Sequence, residues 1–245
     1  MNAIVKISLL FVFLTCSSIL AYTSLQPAHA APEVAPVQTR TFFVENRGRH
    51  DGKVKYYLPG AHGSVFFTAE EVVFSFCRKE EKHPPRKRVK TTEKDNEAPD
   101  ANLVFRFTFH GANAQPVIMG QRELPGKINY FVGSRKDWKT SIPIFEEVLY
   151  RGLYDGIDLV FSAPGNNLKY TMILSKGADI SKVRFAYKSV DAVRVNPQGE
   201  LVISTSFGDF VDSPPKVFRK SKGKSAPVKV RFRIIEKDCV GFLEI

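Results

Sequence analysis

Glu45, Asn46, Arg47, His50 and Asp51 fall within seven residues of the stretch "FFVENRGRHDGKVKYYLPG". Two carboxylates beside an imidazole are the raw material of general acid–base catalysis, provided they face one cavity in different environments. The same residues also suit a tight turn. Asn46, Gly48, Asp51 and Gly52 tolerate left-handed backbone, and an Asp can accept from the backbone two residues on. Arg47 has Glu45 or Asp51 as an ion-pair partner. We read the segment as a turn locked by its own side chains, with Glu45, Arg47, His50 and Asp51 as a contact loop carried on a rigid sheet.

Asp155 and Asp158, three apart in "YDGIDLVF", raise a metal or glycosidase site. On a strand Asp158 faces the same side as Val160. A hairpin through Pro164-Gly165 then brings Lys169 and Thr171 to the matching face, which gives Asp158 a surface partner without catalysis. The histidines are scattered, and no HExxH, cysteine–histidine zinc spacing, EF-hand loop, P-loop or GxSxG elbow is present. No catalytic residue, metal or cofactor is therefore assigned. A glycan hydrolase using loop carboxylates stands as the alternative from a different class.

The third candidate is charge. The chain has 36 Lys and Arg against 25 Asp and Glu, a formal net charge of +11. From Lys216 to Arg233 there are eight basic residues and no acidic one. Lys220, Lys222 and Lys224 occupy the turn "KSKGKS", while Lys229, Arg231 and Arg233 alternate along "VKVRFRII". Such a basic hairpin attracts anionic polymers: lipopolysaccharide, acidic glycan or nucleic acid. The bland reading is a solvated edge that discourages strand-to-strand aggregation. Phe232 points inward in this alternation, so base stacking has no support.

The elements that must position these groups are strands. Period-two alternation recurs throughout and helical periodicity is nearly absent. Leu103, Phe105, Phe107 and Phe109 fall on one face, with Arg106, Thr108 and His110 on the other beside Val104. Val54, Tyr56 and Leu58 alternate against Lys53, Lys55 and Tyr57. Val228, Val230, Phe232 and Ile234 are expected inward. Turn signals such as "NPQG" (196–199) and "APGNN" (163–167) are dense. The prediction is an all-β, mostly antiparallel, sandwich-like architecture of many short strands and hairpins, as one unit or as two packed β subdomains. A single helical turn is expected near Ser134 to Lys139. Residues 77–102 are highly charged and proline-bearing, and read as a mobile inserted loop.

Residues 1–30 read as a signal peptide: Lys6, the apolar run "ISLLFVFLT" and the Ala28-His29-Ala30 processing pattern. Cys16 offers a lipidation site as an alternative. A flexible linker (31–40) and a β-rich domain (41–245) follow. This predicts a secreted, periplasmic or cell-surface protein with no later membrane span. Cys77 and Cys239 either pair as a disulfide in that oxidising compartment or stay as buried thiols.

Several runs resemble an uncharacterised extracytoplasmic domain found at the N-terminus of bacterial proteins that continue into SBBP-type β-propeller repeats. They are "FVENRGRHDGKVKYYLPG", "GSVFFT", "ELPGKINYFVG", "YRGLYDGIDLVF" and "GADISKVRF". The resemblance implies a surface-exposed β module without a known reaction. Glu71 stands where the family usually has glycine, and "LKYTM" where it usually has two carboxylates. The expected function is a non-catalytic structural or interaction module, with envelope or extracellular anionic polymers or surface proteins as partners.

Overall fold

The computed structural model describes residues 3–7, 9–10, 41–78, 101–221 and 224–245; for residues 3–7, 9–10, 218–221 and 224–225 it describes backbone pairing. Cys16, the Ala28-His29-Ala30 pattern, most of the charged insertion and Lys222 lie outside the described residues.

Among the described residues nineteen strands follow one another. They are β1 (Ala3–Ile7), β2 (Leu9–Leu10), β3 (Phe43–Glu45), β4 (Tyr56–Gly60), β5 (Gly63–Phe67), β6 (Glu71–Arg78), β7 (Ala101–Phe109), β8 (Val117–Tyr130), β9 (Lys139–Tyr154), β10 (Ile157–Ser162), β11 (Lys169–Leu174), β12 (Arg184–Lys188), β13 (Ala192–Val195), β14 (Leu201–Thr205), β15 (Gly208–Asp212), β16 (Lys216–Ser221), β17 (Lys224–Val228), β18 (Val230–Glu236) and β19 (Cys239–Glu244). Among the described residues the only helical pieces are three single 3-10 turns, one of them Arg135–Asp137 where a helical turn was expected.

The fold is all-β, and the pairings among the described residues are antiparallel. One long path runs β17-β16-β1-β11-β10-β9-β3-β4-β5-β6-β7-β12-β19-β18, and a smaller sheet runs β13-β14-β15-β2. Two places bend the long path into two layers. β9 pairs with β8 along one edge, while its other edge serves β3 at Ile144–Phe145 and β10 from Glu147 onwards. At the opposite end, β17 and β18 are separated by Lys229 alone, yet they pair with β16 and β19 respectively. Strands that pass from one sheet to another in this way form the corners of a sandwich.

Inside lies a phenylalanine-rich core. Phe43, Phe67, Phe105, Phe161 and Phe185 are fully buried, together with Tyr150 and Tyr170. Leu201 and Ile203 of the smaller sheet belong to the same cluster. The expected alternation of β7 holds, with Leu103, Phe105, Phe107 and Phe109 buried and Val104 exposed. Two expectations change. Tyr57 is buried although its strand neighbour Leu58 is buried too, because β8 and β9 cover the outer face there with a second cluster of Val44, Tyr57, Ile142 and Ile144. Ile234 is exposed, at the point beyond which the β18–β19 register shifts.

Cys77 and Cys239 are free thiols. Cys77 pairs with Asn102 on β7, whereas Cys239 pairs with Ala186, which faces Thr108. The six residue steps from Asn102 to Thr108 separate the cysteines by about 20 Å along the strand direction. A disulfide needs Cα atoms within about 7 Å, so this fold does not bring the pair together.

Candidate functional site

The reactive-looking stretch is a turn, and Asn46 is its hub. The Asn46 side chain donates to the carbonyl oxygens of His50 (3.2 Å), Asp51 (3.0 Å) and Val54 (2.9 Å). Its Oδ1 accepts from the backbone N–H groups of Arg49 and His50, each at 3.0 Å. Arg47 donates to Glu45 Oε2 at 3.1 Å, and the Lys53 N–H donates to Asp51 Oδ1 at 2.8 Å. Both carboxylates are thus occupied by the turn itself. His50 packs edge-on against Tyr57 and Phe66, with ring centroids 4.5 and 4.9 Å away. Burial first, and the Arg49 charge second, hold its pKa below the ordinary value, so the imidazole is neutral at pH 7.

This turn lies against a long arm made by β8 and β9. The Arg49 guanidinium sits 4.9 Å from the Tyr130 ring centre, and the hydroxyls of Tyr57 and Tyr130 are hydrogen-bonded. The Lys139 side chain passes over Gly48, where an added Cβ would meet its Cε at 3.7 Å. Gly120 seats the arm: the Phe145 ring covers it so closely that a Cβ there would lie 2.4 Å from the ring. Charges on the arm's body are matched, Arg122 with Glu146 and Glu147, and Lys127 with Glu123.

The arm's tip is different. Residues 131–141 are all exposed. Phe131 is 62 %, Val132 57 % and Trp138 39 % accessible. Phe131 and Trp138 meet edge-to-face at 4.9 Å, and Arg135 lies 5.9 Å over the indole. Arg135, Lys136 and Lys139 accompany a single tip carboxylate, Asp137, which accepts from the Ser134 hydroxyl at 2.6 Å. Turn and tip together carry exposed apolar side chains and several cations, with Arg135 against the Trp138 indole and Arg49 against the Tyr130 ring. Sequence reasoning did not single out this tip; the unpatterned aromatics of "NYFVGSRKDW" were the available signal.

Other candidates are dispersed. Asp155 is exposed, and Asp158 Oδ1 accepts from the Gly152 N–H at 2.7 Å rather than meeting Lys169, whose register partner is Ser162. Glu45 lies beside the start of β9 and Asp158 beside its far end, on the order of 30 Å apart along the strand. Two glycosidase carboxyls stand about 5–10 Å apart, so these do not form such a pair. The basic hairpin is also redistributed. Arg231 and Arg233 are exposed on β18, which pairs with β19, while Lys220 and Lys224 lie on β16 and β17. Lys229 is exposed at the corner between them.

One polar group is deeply buried. Asp212 on β15 is fully inaccessible, and Tyr170 on β11 donates to its Oδ2 at 2.8 Å. Asp212 Oδ1 and the Tyr187 hydroxyl have no partner among the described residues. Burial pushes the Asp212 carboxyl well above the usual range. A cavity here, lined by Phe74, Phe105, Phe161, Leu168, Tyr170 and Tyr187, has room for one water at most. The Tyr170–Asp212 bond joins the larger and smaller sheets within the core. No group of three or more His, Cys, Asp or Glu residues among those described is placed to hold a metal.

The described residues define an antiparallel β-sandwich module that presents its exposed aromatic and basic chemistry on an arm. Residues 43–243 match the family described as "Domain of unknown function (DUF7948)", and the chain belongs to that family. No curated protein and no solved structure matches it. No helix among the described residues is long and apolar enough to cross a membrane.

Proposed function

We propose that this protein is an exported, non-catalytic β module of the cell envelope that docks on an anionic lipid surface through the tip of the β8–β9 arm. The observation that carries the reading is the exposure of Phe131, Val132 and Trp138 on a tip that also carries exposed Arg135, Lys136 and Lys139. Apolar rings in the headgroup region and cations against phosphates are the two contributions that hold a peripheral protein on a membrane. Export is supported by the leader pattern of residues 1–30 and by the resemblance to modules that precede surface β-propeller repeats. Arg231 and Arg233 would add long-range attraction without apolar insertion.

Sedimentation with vesicles tests the reading. Phosphatidylglycerol vesicles should carry the protein down and phosphatidylcholine vesicles should not, with binding weakened by salt. Substituting Phe131, Val132 and Trp138 together by Ser should abolish sedimentation while leaving the fold intact. Equal binding by that variant, lost instead in Arg231→Glu/Arg233→Glu, would transfer the function to a polymer-binding strand.

A further inference from the structure

The long sheet path is continuous only because residues of the leader complete it. β1 pairs with β11 through the register Ala3–Leu174 to Ile7–Tyr170, and with β16 through Ala3–Arg219 to Lys6–Lys216. No pairing joins β11 to β16 directly among the described residues. Without β1 the two strands face each other as open edges separated by two strand spacings, about 10 Å. The strands on either side belong to the family-matched region 43–243, whereas the strand between them does not. The domain therefore holds a strand-shaped vacancy that it fills from outside itself.

Register defines what the vacancy accepts. Alternation places positions 3, 5 and 7 on the face shared with Leu174, Met172 and Tyr170, all buried in the core. Positions 4 and 6 share the face of Ile173 and Thr171, which are half-buried. β2 then extends the leader onto β15 beside Val211 and Asp212, so the occupant also touches the smaller sheet. An extended segment with aliphatic residues at three alternate positions fits; side-chain identity on the other face matters less. The chain's own linker is a poor substitute. Pro32 and Pro36 leave no five-residue run free of proline between Ala31 and Arg40, and a strand paired on both edges needs those N–H groups.

We propose that the position between β11 and β16 is an acceptor site for an exogenous β-strand: Ala3–Ile7 fills it in the precursor, and an extended, alternately aliphatic segment of a partner polypeptide fills it after the leader is removed. Open edges paired on both sides supply backbone hydrogen bonds for affinity, and the core-facing positions supply selectivity. The site rests on the export reading only in that the leader must leave. The N-terminal mass of protein recovered from the envelope tests that step separately.

The acceptor itself is tested on the full chain carrying a protease site after Ala30, cut after folding. The released 1–30 fragment should stay bound through gel filtration and be displaced by excess synthetic peptide of residues 2–10. A fluorescent copy of that peptide should then bind saturably by anisotropy. Val5→Asp in the peptide should weaken binding by at least about tenfold, because position 5 is in register with Met172, which is buried. Lys6→Glu, on the other face, should change it by no more than about threefold. Loss of the fold on release, restored by the peptide, also supports the site. Release of the fragment from a chain that keeps its circular dichroism, with no peptide uptake, would overturn it. So would equal binding of the Val5→Asp peptide, or a lost fold that the peptide does not restore.

Discussion

Tyr170 on β11 donates a 2.8 Å hydrogen bond to Asp212 on β15, joining the larger sheet to the smaller one through the core. A carboxyl so placed is a conditional contributor to stability. Burial raises its pKa well above the ordinary value, so it is protonated in the folded chain at pH values where the unfolded chain has already ionised it. Its contribution is fully present below about pH 4, the unfolded value, and is lost as pH rises towards the folded value.

The first prediction follows from that sign. Asp212→Asn keeps the shape and removes the titration. Urea unfolding should give similar stabilities near pH 4 and a growing advantage for the variant as pH rises. The gap should open by up to about 1.4 kcal/mol per pH unit. A gap that closes with rising pH would show the carboxylate to be stabilised as an anion.

Two buried tyrosines should respond differently. Tyr170→Phe removes the donor that satisfies Asp212 Oδ2 and should cost about 1–3 kcal/mol in urea unfolding. Tyr187→Phe removes a buried hydroxyl with no partner among the described residues, so it should be neutral or mildly stabilising. The same loss at both positions would mean that the Tyr187 hydroxyl is satisfied.

At the turn, Asn46 rather than Asp51 should govern stability. Asn46→Ala breaks side-chain bonds to three carbonyls and two N–H groups and should cost about 2 kcal/mol or more. Asp51→Ala breaks the exposed bond from Lys53 and should cost about 0.5–1 kcal/mol. Chemical denaturation of the two variants checks the ranking.

The two thiols should react unequally. Cys239 is buried, and burial, then the Glu236 charge, raises its pKa, whereas Cys77 is half-buried near the end of strand β6, just before the insertion. Native labelling with a thiol reagent should modify Cys77 first and Cys239 only on unfolding. Recovery of exported protein with no labelled thiol after denaturation would contradict the separation seen here.

Alternation was enough to read the strands and most of the core. It correctly gave the buried face of β7 because that strand has one wet side. It failed at Tyr57, under a covering arm, and at Ile234, beside a register shift, and neither is encoded locally. The turn at Asn46 was legible from its residue types, although the weight on Asn46 was not. Asp212 sits in "GDFVDSPP" like any surface carboxylate; only its pairing with Leu201 reveals that it faces inward. The basic residues were legible as a run, but their division between β16–β17 and β18 depends on the corner at Lys229. The arm's tip was hidden because exposed aromatics acquire meaning only once the strands that hold them away from the core are known.

Trp138 is the chain's only tryptophan and stands at that tip, so its fluorescence reports on the proposed contact directly. Adding phosphatidylglycerol vesicles should shift its emission to the blue, and brominated acyl chains should quench it, with both effects weakened by high salt and absent with phosphatidylcholine. An unshifted, unquenched Trp138 on a folded protein mixed with anionic vesicles would contradict the docking of this arm on a lipid surface.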